Sequence, residues 1–152
     1  MEKLEKEGKI GIMELSPNDI RKEIAKKTLG LKYQVVKNLK AKRIVIDSIT
    51  AYPLLFPNEL DKRDAHISLF EMLRKWGCTA LLVAEYDVEE HKGSPLDFEV
   101  DTILWLYNFK KEDVRTRAIE IYKMGGTKHS TKTSPLEITD KGIKVYPEQS
   151  VF

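Results

Sequence analysis

The chain is short of cysteine, of long apolar runs and of net charge, and each shortage removes a class of protein. A single cysteine, Cys78, excludes an intramolecular disulfide and cannot supply a multi-cysteine zinc site. With 26 basic against 24 acidic residues scattered along it, the sequence offers no bulk electrostatic pull toward nucleic acid or an anionic membrane. No stretch is apolar enough to span a bilayer, and the amino terminus mixes charges with short apolar steps, unlike a signal peptide. Among His66, His91 and His129, no two stand at metal-ligand spacing. These absences predict a cytoplasmic protein with no membrane segment and no metal cluster.

What is present is 152 residues, 41% hydrophobic and 33% charged, which suits one domain spanning 1–152. The charge share also fits a heat-adapted surface laced with ion pairs. Ser16-Pro17-Asn18-Asp19 reads as a helix entrance, with Ser16 placed to accept from orphan amides and Gly30 as the stop. Leu31 to Lys40 sets Leu31, Val35 and Leu39 on one side of a second helix. It leads into Arg43-Ile44-Val45-Ile46-Asp47, whose consecutive β-preferring residues predict a parallel strand covered on both faces. From Asp61 to Trp76, Ile67, Phe70, Leu73 and Trp76 recur at helical spacing, and Gly77 ends that helix. Thr79 to Ala84 is a second buried strand, parallel to the first, with the helix as the crossover between them.

Tyr86 to Glu99 is polar and broken by Gly93 and Pro95, so it reads as a long loop. Beyond it come strands alone, at Val100–Tyr107, Arg117–Met124, Leu136–Thr139 and Ile143–Tyr146. Asp113 falls in a turn, and Thr139-Asp140-Lys141-Gly142 is a hairpin signal. The pattern is α/β, with strand and helix alternation followed by a β-meander that extends the same sheet.

Two segments carry chemistry. The first is the strand ending in Asp47-Ser48. In an open α/β sheet, ligands lie beyond the carboxyl ends of the strands, where a carboxylate can hold Mg²⁺ through its water shell. The competing role is a plain cap on the following segment. The second is Lys123-Met124-Gly125-Gly126-Thr127-Lys128-His129. Its glycines let the backbone turn, and its lysine, threonine and histidine donors suit phosphate oxygens, although many lysine-rich turns are only solvated loops. Cys78 reads as a small buried thiol, Trp76 and Trp105 as packing, and Glu89-Glu90 as a solvated face.

In their order and spacing these pieces resemble the KaiC/RadA branch of the RecA-like ATPases. The resemblance rests on Arg43 to Thr50 (RIVIDSIT), the helix end from Arg74 to Thr79, Asp101 to Leu104, Arg117 to His129 and the hairpin from Ile138 to Pro147. It runs from about Gly8 to Pro147 and implies a partial RecA-like sheet of the P-loop NTPase type, with parallel core strands, flanking helices and a C-terminal β-meander. It further implies ATP and Mg²⁺ as ligands, with Asp47 as the acid of the second nucleotide-binding motif, facing a magnesium-bound water, and Ser48 beside it. Lys123 looks like the family lysine that reaches across a subunit interface to a neighbour's γ-phosphate, with Thr127 and His129 in the tail of that motif. Glu85 lies where the family's strand ends near the nucleotide.

The sequence also departs from that pattern. It contains no G-x-x-x-x-G-K-[ST], and so lacks the amide nest, lysine and magnesium-binding hydroxyl that cradle phosphates. The strand bearing the family's catalytic glutamate has no counterpart, and Gly125 stands where the family commonly has an arginine. The expectation is a KaiC/RadA-like chain that is not a self-sufficient ATPase. Three other readings stand beside it: a non-enzymatic interaction or regulatory subunit, the distal half of an ATPase whose N-terminal half is elsewhere, and a nucleic-acid-binding RecA-like module. The last is disfavoured because Tyr86 to Glu99 carries more acids than bases. The partners implied are further copies of the chain, since a partial sheet leaves apolar faces to cover, and a P-loop-bearing paralogue.

Overall fold

Apolar residues at Ile44, Ile46, Leu82 and along one side of the following helix set the first half of the molecule. In the computed structural model, which describes all residues except 1, 15, 17, 20–21, 23–30, 87–94, 112 and 152, the chain divides into two compact units, Met1–Asp87 and Val88–Phe152.

In the first unit, α1 (Glu2–Lys6) and α2 (Leu31–Asn38) precede β1 (Arg43–Asp47). Ser16 and Asp19 form a reciprocal cap: the Asp19 amide donates to Ser16 Oγ at 3.2 Å, and the Ser16 amide donates to the Asp19 carboxylate at 3.1 Å. The Gly30 stop lies outside the described residues. A short 3₁₀ turn (Pro53–Leu55) leads to α3 (Glu59–Lys75), and β2 (Thr79–Val83) pairs with β1 in parallel, Ile46 opposite Leu82 and Asp47 opposite Val83. α3 begins two residues before the position expected, because Asn58 caps it by accepting the Asp61 amide at 2.9 Å. It ends as expected at Gly77, whose φ of +67° is the left-handed conformation that glycine adopts without strain.

The core of this unit is Ile49, Tyr52, Ala65, Leu69 and Leu73, with Ile46, Leu82, Met72 and Trp76 packed on it. The Tyr52 hydroxyl donates to the Ala65 carbonyl at 3.3 Å, which satisfies the one polar atom this ring carries into the core. The expectation of strands covered on both faces fails here. Val45 is 63% and its register partner Leu81 54% exposed, because α3 covers only the Ile46–Leu82 face. Cys78 is half-buried, its Sγ 2.9 Å from the Ala41 carbonyl.

In the second unit, α4 (Pro95–Glu99) replaces part of the expected loop; residues 87–94 of that loop lie outside the described residues. β3 (Thr102–Lys111), β4 (Val114–Met124), β5 (Ser134–Thr139) and β6 (Gly142–Val145) form an antiparallel sheet in that order. Among the described residues the meander hydrogen-bonds as a four-stranded sheet of its own, where the sequence suggests an extension of the parallel pair. The β3–β4 hairpin is longer than the apolar runs suggested, since ladder bonds continue through Lys110, opposite Arg115, to Lys111, opposite Val114. The two-residue turn at Asp140-Lys141 joins β5 to β6 as the sequence predicts, with Thr139 opposite Gly142.

Candidate functional site

β1 ends at the exposed carboxylate of Asp47, next to the carboxyl end of β2. Parallel pairing places both strand ends at one edge, the edge where open α/β sheets bind ligands. The chain leaving β1 stays with β2: the Ile49 amide donates to the Val83 carbonyl and the Glu85 amide to Thr50 Oγ1, both at 2.9 Å. Ile49 anchors this turn by burying its side chain in the core, while Asp47, Ser48 and Glu85 remain exposed around it. The Asp47–Ser48 peptide is cis. Tyr86 follows, its phenol pushed above the ordinary tyrosine range by burial. Asp47 and Glu85 give this edge two exposed carboxylates and Ser48 an exposed hydroxyl, hard oxygen ligands of the kind Mg²⁺ takes, so the donor chemistry fits a hydrated Mg²⁺ on Asp47.

The second group lies at the far end of β4. Strict alternation would set Lys123 on the same face as Ile119 and Ile121. The register instead shifts, with Ile121 opposite Leu104 but Lys123 opposite Ile103, so a bulge at Tyr122 carries Lys123 onto the Trp105 face. Tyr122 packs edge-on against Trp105 there, at 5.9 Å between centroids. The half-buried Lys123 ammonium donates to the carbonyls of Asp97 at 2.6 Å and Val100 at 2.7 Å. The Gly125 amide donates to the Asp101 carbonyl at 2.9 Å. Farther along the turn the Thr127 amide donates to the Met124 carbonyl at 3.2 Å, and His129 Nδ1 donates to the Thr127 carbonyl at 3.0 Å, which fixes the proton on Nδ1.

Asp47 and Ser48 thus share one edge, in the first unit, while Lys123, Thr127 and His129 share one turn, in the second. Two contributors escaped the sequence reading. Thr50 was part of the diagnostic strand segment but carried no assigned role. The carbonyls of Asp97, Val100 and Asp101 had no signal at all, because every residue has a carbonyl. A lysine two positions before a double glycine was the one hint that something polar is held there.

A family model described as "ATPase: KaiC" matches residues 1–150. A UPF0273 protein of Methanopyrus kandleri is 36% identical over 127 residues, covering 82% of this chain and 50% of that protein. The circadian clock oscillator protein KaiC of Acaryochloris marina is 30% identical over 162 aligned positions, covering 97% of this chain and 30% of its own length. A crystal structure of a KaiC-like protein from the hyperthermophilic archaeon Pyrococcus horikoshii superposes with a TM-score of 0.76 at 35% identity, over 96% of this chain and 64% of that one. The chain spans about half the length of the UPF0273 relatives it matches. With the strand-end carboxylate, the ordered motifs and a family match over nearly every residue, the chain belongs to the KaiC family of RecA-fold ATPases.

Proposed function

We propose that this chain supplies the distal part of a KaiC-family nucleotide site and does not hydrolyse ATP by itself. The observation that carries the reading is Asp47, an exposed carboxylate at the end of β1, held beside the end of β2 by the Ile49–Val83 and Thr50–Glu85 bonds. Asp47 and Ser48 would meet the metal's water shell, while Lys123, Thr127 and His129 would face a phosphate presented by a neighbouring subunit. Bound Mg²⁺ supplies charge neutralisation on the phosphates.

What this chain lacks decides the rest. Phosphoryl transfer asks a protein mainly for position and electrostatics, delivered by a phosphate-cradling loop, its lysine, a water-orienting group and often an arginine in trans. No G-x-x-x-x-G-K-[ST] occurs in these 152 residues. Magnesium normally leans on substrate phosphates as well as one or two carboxylates, so Asp47 alone is a weak anchor. Affinity for MgATP should then be millimolar or weaker, about −4 kcal/mol. Both further copies of the chain and a P-loop-bearing paralogue are candidate partners, and the exposed Val45–Leu81 face favours association.

The test is turnover of MgATP by purified chain beside the Asp47→Asn variant, with calorimetric titration of MgATP into both. Background hydrolysis equal in the two, with no saturable binding below the millimolar range, is the expected result. Family-like turnover that Asp47→Asn abolishes would refute the reading.

A further inference from the structure

The bonds of Lys123 create a competition. An ammonium has three donors, and two are already committed to the Asp97 and Val100 carbonyls inside the same chain. Those carbonyls lie at the carboxyl end of α4 and just past it, where unsatisfied carbonyl oxygens attract a cation. The bulge at Tyr122 aims the side chain there, and the Gly125–Asp101 bond fastens the same stretch from the other side of Lys123. Residues 97–101 and 123–125 therefore hold one another through three hydrogen bonds, two of them to a charged group. A phosphate oxygen outside the chain would have to take the lysine from this holder.

We propose that residues 97–101 act as an internal holder that keeps Lys123 withdrawn until the chain assembles on a nucleotide-bearing neighbour. The inference rests on the reading above, in which Lys123 faces a phosphate in trans. It adds that α4 and the residues after it must change when that contact forms, so assembly and the conformation of 97–101 are coupled. The coupling free energy can be no larger than the difference between the phosphate contact and the two carbonyl bonds it replaces.

Lysine acetylation by an N-hydroxysuccinimide ester, read by mass spectrometry, tests the holder in the chain itself. Lys128, Lys132 and Lys141 are exposed and serve as internal references. Lys123 should label more slowly than they do by about tenfold, the factor a single charge-assisted bond can withhold. Replacing residues 95–101 by a Gly/Ser linker of equal length keeps a carbonyl at each position but unfolds the α4 end that aims them, and should raise Lys123 to the reference rate, while labelling of Lys132 and Lys141 stays unchanged. Equal labelling of Lys123 and Lys128 in the unmodified chain overturns the proposal, as does slow labelling that survives the linker.

A second arm mixes the chain with a KaiC-family protein that carries G-x-x-x-x-G-K-[ST], loaded with a non-hydrolysable ATP analogue. Delivery predicts faster amide exchange at Gly125, whose bond to Asp101 loosens, while Lys123 stays unlabelled on its new partner. A complex in which amide exchange at Gly125 is unchanged overturns the coupling. Absence of any complex overturns the trans reading and the delivery step with it, whereas the labelling arm alone still decides whether 97–101 holds Lys123.

Discussion

The amide of Glu85 donates to the hydroxyl of Thr50 at 2.9 Å, so the segment leaving β1 grips the segment leaving β2 just beyond Asp47. Thr50→Val keeps the size and removes the acceptor. It should cost about 0.5–1.5 kcal/mol in urea unfolding, the net worth of one hydrogen bond, and Thr50→Ser should restore most of it. Amide exchange at Glu85 provides the local check, rising in the valine variant alone.

Leu69 is 1% exposed in the first unit's core. Leu69→Ala should destabilise by about 2–5 kcal/mol through lost transfer energy and the cavity left behind. Leu60→Ala, on the same helix but with a largely exposed side chain, should change stability by less than about 0.5 kcal/mol. Chemical denaturation of the two variants separates core from surface on α3.

His66 sits on α3 with its Nε2 buried and without a hydrogen-bond partner among the described residues, its ring 6.1 Å from that of Tyr52. Burial pushes its pKa below the ordinary histidine value. The folded state therefore prefers the neutral ring, and the unfolded chain binds more protons between the two values. The resulting stability is fully present above about pH 6.5 and is lost as the pH falls from there through the folded value. His66→Gln should flatten the thermal-melting profile in that window; a slope unchanged from the parent would assign it to other groups.

The elements that local pattern encodes were legible in advance. Apolar runs marked β1 and β2, helical spacing marked α3, Gly77 marked its end, and Thr139 to Gly142 marked the hairpin. Coverage was not legible. Uninterrupted Val, Ile and Leu signal a strand that wants both faces buried, and the sequence does not say what covers the second face, which is why Val45 and Leu81 stand exposed. Nor was the length of the β3–β4 hairpin, because Lys110, Lys111 and Arg115 are paired through their backbones while their side chains read as a polar turn. The place of Asp47 at the end of β1 was readable from the apolar run before it. The surroundings of Lys123 were not, since a bulge and three backbone carbonyls leave no mark in residue identity.

The open Val45–Leu81 face gives a prediction about assembly. Because both side chains are largely exposed, Val45→Asp should cost the fold less than about 1 kcal/mol while placing a charge in any interface built there. In sedimentation at tens of micromolar, the parent should associate and the variant should run as monomer. A parent that is already monomeric would overturn self-association, and a variant that associates as strongly would move the interface elsewhere on the chain.

Positions 125 and 126 separate a conformational requirement from a chemical one. Gly126 has φ of +67°, so Gly126→Ala should cost about 1 kcal/mol from the strained left-handed backbone alone. Gly125 does not have a positive φ, and a Cβ built there would meet only the Asp101 carbonyl, at 3.4 Å, an ordinary contact. Gly125→Arg should therefore fold with little loss. An arginine acting in trans on a transferring phosphoryl group can contribute roughly 10³–10⁵ in rate. In a mixture with a KaiC-family protein bearing the phosphate-cradling loop, Gly125→Arg should raise ATP turnover above that of the parent mixture. Adding Lys123→Met should remove the gain, because the turn that presents residue 125 would lose its cation. A gain that survives Lys123→Met would show that the arginine acts without the lysine, and no gain in a mixture shown to assemble would place residue 125 away from the phosphate.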